Sequence, residues 1–117
     1  MSEGDIALIE MPQADGQIKR RPALVLRAMP PFGDWLVCGI STQIRQQVPG
    51  FDEAIDPSHL DFAGSGLKAA SLIRLGFLST FPRSAILGKI GRIAPERHRR
   101  LLGNLAGHLL AHSQFSV

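Results

Sequence analysis

The chain has 117 residues, 44% of them hydrophobic, with a formal net charge of +3 and a pI near 9.8. That length suits one domain spanning 1–117 with its own core, and the apolar content excludes a disordered chain. A lone cysteine, Cys38, excludes an internal disulfide and fits a reducing cytoplasm, while the acid-bearing start MSEGDIALIE reads as no signal peptide and nothing approaches a membrane-spanning length.

Residues 5–11 (DIALIEM) read as a strand, with Gly4 as punctuation before it. Residues 12–20 hold Pro12, Asp15 and Gly16 and read as a loop. Residues 23–28 (ALVLRA) form a second strand, whose nearly unbroken apolar run implies burial on both faces. A turn over 30–34 leads to a third strand over 35–41 (WLVCGIS). A polar connection ends at the Pro49-Gly50 turn, and a short edge strand is expected over 51–55. Residues 57–66 are turn-rich. SLIRLGFLST follows as one strand or two, with Gly76 at a bulge or bend, and 85–93 make the last strand region. Short strands at regular spacing predict a small barrel or sandwich.

The tail predicts a helix from Pro95 to about Ala111. Proline suits the first helical turn, and Glu96 complements the helix dipole. Leu101, Leu102, Leu105 and Leu109 recur at helical spacing, with Arg99, Arg100, Gly103 and Gly107 opposite. The helix is expected to close one side of the barrel.

Basic residues gather around 19–21 and 83–100, and acids gather in the middle at Asp52, Glu53, Asp56 and Asp61. A segregated basic face steers anions; a solvated surface is the alternative, and the acidic middle reads as solvated loop. His108 and His112 lie four apart, but no third ligand accompanies them, so His98 and His112 read as packing residues and no metal is expected. Cys38 sits in an apolar strand without a basic neighbour and reads as a small hydrophobe, not a nucleophile.

The arginines carry the sharper reading. Arg20 and Arg21 precede Pro22, which lacks a strand donor and belongs at a strand's start. Arg74 follows Ser71-Leu72-Ile73, and Ser41 and Thr42 end the third strand. Arginine forks fit phosphate oxygens in pairs, so these groups at neighbouring strand ends suggest a phosphate-binding cup. The alternative is that the arginines are solvated or pair with acids.

Gly4-Asp5, RPALVL (21–26), ISTQ (40–43), SGLKAASLIRLGFLSTF (65–81) and IGRI (90–93), in that order before a C-terminal helix, resemble the MazF/PemK-type toxins of bacterial type II toxin–antitoxin systems. The resemblance covers about residues 4–110. It implies an α+β, mainly β chain with a small SH3-like barrel of the CcdB/PemK type and a C-terminal helix. It implies a cytoplasmic homodimer that cuts single-stranded RNA without cofactor or metal, and a cognate antitoxin as partner. Cleavage in the family uses the substrate's own 2′-hydroxyl and gives a 2′,3′-cyclic phosphate and a 5′-hydroxyl. By this resemblance Arg21 is the central catalytic cation, Ser41 stands where a threonine is common, and Arg74 contacts phosphate. Lys19, Arg20, Thr42, Gln43 and Asp15 are then RNA-binding candidates, with specificity in the loops 12–20 and 43–51. The chain departs from the family at Gly76, where some members carry an acid as base. Either Asp15 substitutes, or the enzyme is slow, or the chain has another target. The CcdB-type gyrase poisons share the fold, so a non-catalytic module binding protein or nucleic acid stays open.

Overall fold

The computed structural model describes residues 1–12 and 14–111; His112 lies outside them. Six strands, β1 (Asp5–Pro12), β2 (Ile18–Met29), β3 (Asp34–Ser41), β4 (Glu53–Ile55), β5 (Ser71–Phe81) and β6 (Ile86–Arg92), form one antiparallel sheet in the order β4-β5-β3-β2-β1-β6. A short helix, α1 (Phe62–Ser65), lies in the turn-rich segment, and α2 (Pro95–Leu110) follows the last strand. The chain is therefore α+β and mainly β, as expected.

The ladder is open. β4 and β6 are its two edges, each touched by a helix and not joined to the other into the expected barrel. At β4, Arg97 of α2 donates to the Ala54 carbonyl at 3.0 Å. At β6, the backbone of α1 presses so close that a Cβ on Gly91 would lie 2.3 Å from the Ser65 carbonyl. Only a glycine permits that approach.

The sheet is buried on both faces. Ile6, Leu24, Leu26, Cys38, Ile73 and Leu75 pack with Leu101 and Leu105 of α2 on one side. Ala7, Ile9, Ala23, Val25, Trp35 and Val37 pack on the other, with Phe81 and Ile86 against them. The run Ala23-Leu24-Val25-Leu26 is accordingly buried at every position, its alternate side chains serving the two clusters.

Three expectations change. First, β2 begins at Ile18, so Lys19, Arg20 and Arg21 lie within a strand paired with β1, not in a loop. Pro22 is inside the strand opposite Leu8, one residue before β3 joins at Ala23–Gly39. On that side β2 is still an edge, where a missing N–H breaks no ladder bond. Second, α2 buries Leu101 and Leu105, but Leu109 is 70% exposed because the last turn outruns the core. Third, the acidic middle is no solvated loop. Arg97, 5% exposed, pairs with Asp61 at 2.8 Å and Glu53 at 2.9 Å, and Arg100 pairs with Glu53 at 3.0 Å. Arg97 and Arg100 are thus neutralised by these acids, and their bonds to Glu53 fasten α2 to β4.

Candidate active site

The sheet register builds the site. Ala23 of β2 pairs with Gly39 of β3, and Gly39 pairs on its other side with Arg74 of β5. Residues directly opposite share a face. Continuing the β2–β3 register by two residues sets Arg21 across from Ser41, again on that face. Arg21, Ser41 and Arg74 therefore project from three adjacent strands, just past the end of the second core cluster. They line one cavity of about 370 Å³, together with Met11, Ala14, Pro22, Gly39, Ile40 and Phe77.

A register shift between Cys38 and Gly39 shapes the β5 wall. Cys38 pairs with Leu78 but Gly39 pairs with Arg74, so Leu75, Gly76 and Phe77 bulge from the ladder. This is the irregularity expected at Gly76. On the other side of β5, past the end of its pairing with β4, Asp52 Oδ1 accepts the Leu75 N–H at 3.0 Å. The other oxygen, Oδ2, accepts from Val48 N–H at 3.0 Å. Buried Asp52 thus ties the residue after Arg74 to the loop that follows Ser41. Sequence reasoning missed this carboxylate. Its one signal is an acid directly after the Pro49-Gly50 turn and Phe51, where turn carboxylates commonly accept backbone N–H groups.

Ser41 Oγ accepts the Gln43 N–H at 3.0 Å, which fixes the oxygen and leaves the hydroxyl proton for an outside acceptor. Thr42 and Gln43 are exposed beside the cavity and do not line it. Asp15 is the neighbour of lining residue Ala14, and its Oδ1 accepts the Gln17 N–H at 3.0 Å in a turn. Lys19 and Arg20 are exposed on β2; strand alternation puts Lys19 on the Arg21 face and Arg20 on the other. The cavity lining carries two arginines and, among the described residues, no carboxylate.

The remaining candidates have structural roles. Cys38 is buried on the first core face, and burial, with Asp52 adding to it, pushes its thiol up to about 12. It holds no thiolate at neutral pH. His98 places Nε2 2.8 Å from the Leu26 carbonyl, the packing role expected of it. The His108 ring stacks obliquely on Phe51 at 5.0 Å. Among the described residues, no three His, Cys, Asp or Glu side chains gather as a metal-ligand set. No helix there is long and apolar enough to cross a membrane.

Residues 2–109 match the family model described as PemK-like, MazF-like toxin of type II toxin-antitoxin system. The chain belongs to this family. The fold agrees: the Mycobacterium tuberculosis toxin MazF-mt6 superposes with a TM-score of 0.65 over 93% of this chain and 99% of that one, at 20% identity. No curated protein matches the chain by sequence. As a PemK-like, MazF-like toxin, the protein is one half of a toxin–antitoxin pair.

Proposed function

We propose that this toxin is an endoribonuclease that cleaves single-stranded RNA within the cavity of Arg21, Ser41 and Arg74. One observation carries the reading: two arginines and a hydroxyl from three strands converge on one open cavity. In the reaction the RNA 2′-oxygen attacks the adjacent phosphorus and the bond to the 5′-oxygen breaks. The 2′-hydroxyl gives up its proton and the leaving 5′-oxygen gains one. Negative charge builds on the non-bridging oxygens, where preorganised cations act more strongly on the transition state than on the ground state. Arg21 stabilises that charge, Arg74 and the Ser41 hydroxyl hold the phosphate, and solvent water takes up the 2′-proton and supplies the one gained by the leaving oxygen. Neither arginine serves as base, because guanidinium stays protonated. Asp15, beside Ala14 on the rim, is the acid within the β1–β2 connection. Without a well-placed base the rate falls by about 10²–10⁴. The partner antitoxin then blocks this cavity. A homodimer is part of the proposal, supported by exposed Phe77, Leu78, Leu87 and Ile90; Phe81, by contrast, packs into the second core cluster.

The end groups test the chemistry. Fragments are expected to carry 5′-hydroxyl and 2′,3′-cyclic phosphate ends, and RNA methylated on the 2′-oxygens is expected to resist cutting. Fragments with 5′-phosphate ends would contradict the mechanism.

The absence of a carboxylate from the described cavity lining favours a second reading, a non-catalytic module of the same fold that binds a protein or nucleic-acid target. A folded dimer that binds RNA without cutting it, or ignores RNA entirely, is its expected signature.

A further inference from the structure

One lining residue has no part in phosphate chemistry. Phe77 lies in the bulge of β5, and its ring rests on the backbone of Gly39: a Cβ there would meet Phe77 Cδ1 at 2.8 Å. Phe77 is 47% exposed, although the strand around it feeds two cores. An aromatic ring supported from beneath by a glycine and open above is a flat, fixed apolar surface. It faces the same cavity as Arg21, Ser41 and Arg74. A nucleotide has the matching layout, with a charged phosphate next to a base carrying a π-face. The cavity of about 370 Å³ falls within the range of small-ligand pockets.

We propose that Phe77, seated on Gly39, is the platform on which a nucleobase beside the scissile phosphate stacks. The proposal rests on the RNA-cleavage reading and deepens it. Proteins that hold single-stranded nucleic acid pair a cationic track with aromatic stacking surfaces, and base stacking tolerates different sequences because every base has a π-face. Gly39 is then needed for its missing side chain. The bulge has a second consequence, since it lifts the ring out of the ladder and toward the cavity.

The test is binding of a fluorescent, 2′-O-methylated single-stranded oligonucleotide, which cannot be cut. It compares the full-length wild type with Phe77→Ala, Phe77→Leu and Phe77→Tyr, each checked for fold by circular dichroism and for oligomeric state by sedimentation. Phe77→Ala and Phe77→Leu are expected to weaken binding about 5- to 150-fold, and Phe77→Tyr to restore it. The salt dependence of binding is expected to stay unchanged, because no phosphate contact is lost. Equal binding by wild type and Phe77→Leu would overturn the platform while leaving the ribonuclease reading intact. So would a Phe77→Leu protein that loses binding only by dissociating into monomers, since the ring would then belong to a self-interface. A wild type that binds no oligonucleotide would overturn both.

Discussion

At the scale of single residues, the proposed chemistry hangs on a hydroxyl and two guanidinium groups that line one cavity. Ser41 is held by the Gln43 N–H and keeps its proton for a ligand. We therefore expect Ser41→Ala to lower the cleavage rate by about 10²-fold, as loss of one preorganised donor does, and Ser41→Thr to keep it. Single-turnover kinetics would check this. Cys38 gives a control: with its thiol pushed up to about 12, it should resist alkylation at pH 8 in the folded protein and react once unfolded. Fast labelling of the native protein would show that the first core face is open.

At the scale of elements, the fold is fastened by polar pins that composition hid. Arg97 sits between Asp61 and Glu53 with 6% of its side chain exposed. Removing it in Arg97→Ala leaves Asp61 without its cation while Glu53 keeps Arg100, with an expected loss of about 3 kcal/mol in urea unfolding. Partial burial of Asp61 works against its charge, but Arg97 and the Ala94 N–H outweigh it and hold the carboxyl below the usual aspartate range. A carboxylate with a lowered folded pKa stabilises fully above the ordinary value of 3.8 and loses that contribution as pH falls through its folded pKa. Stability should therefore drop with acid below about pH 4, and the acid limb of that profile should be smaller in Asp61→Asn. The α1–β6 contact makes a steric prediction. Gly91→Ala puts a Cβ against the Ser65 backbone and should cost about 1–3 kcal/mol, read as a lowered melting midpoint.

At the scale of the whole molecule, the succession of strands along the chain and the C-terminal helix were legible in the sequence. So were the three cavity residues, because apolar runs, turn residues and the Arg-Pro junction are local signals. What stayed hidden was long-range. Nothing near Arg97 announces that it meets Glu53 and Asp61, so its charge counted toward a basic face that pairing removes. Asp52 looked like part of an acidic loop, yet it holds the amide of Leu75. The open sheet was hidden for the same reason, since local periodicity does not say whether two edges meet. Lys19, Arg21 and Arg74 are the cations on the cavity face of the strands. On the proposed function, RNA affinity should fall with salt with a log–log slope of about −2 if all three contact phosphates, and less steeply in Arg21→Ala. Cleavage of a long single-stranded RNA in the presence of a metal chelator, by the wild type and by Arg21→Ala, tests the central claim most directly. The account predicts discrete fragments from the wild type and a loss of about 10²-fold or more in the variant. Equal cutting by both proteins, or none by a folded wild type, would contradict it.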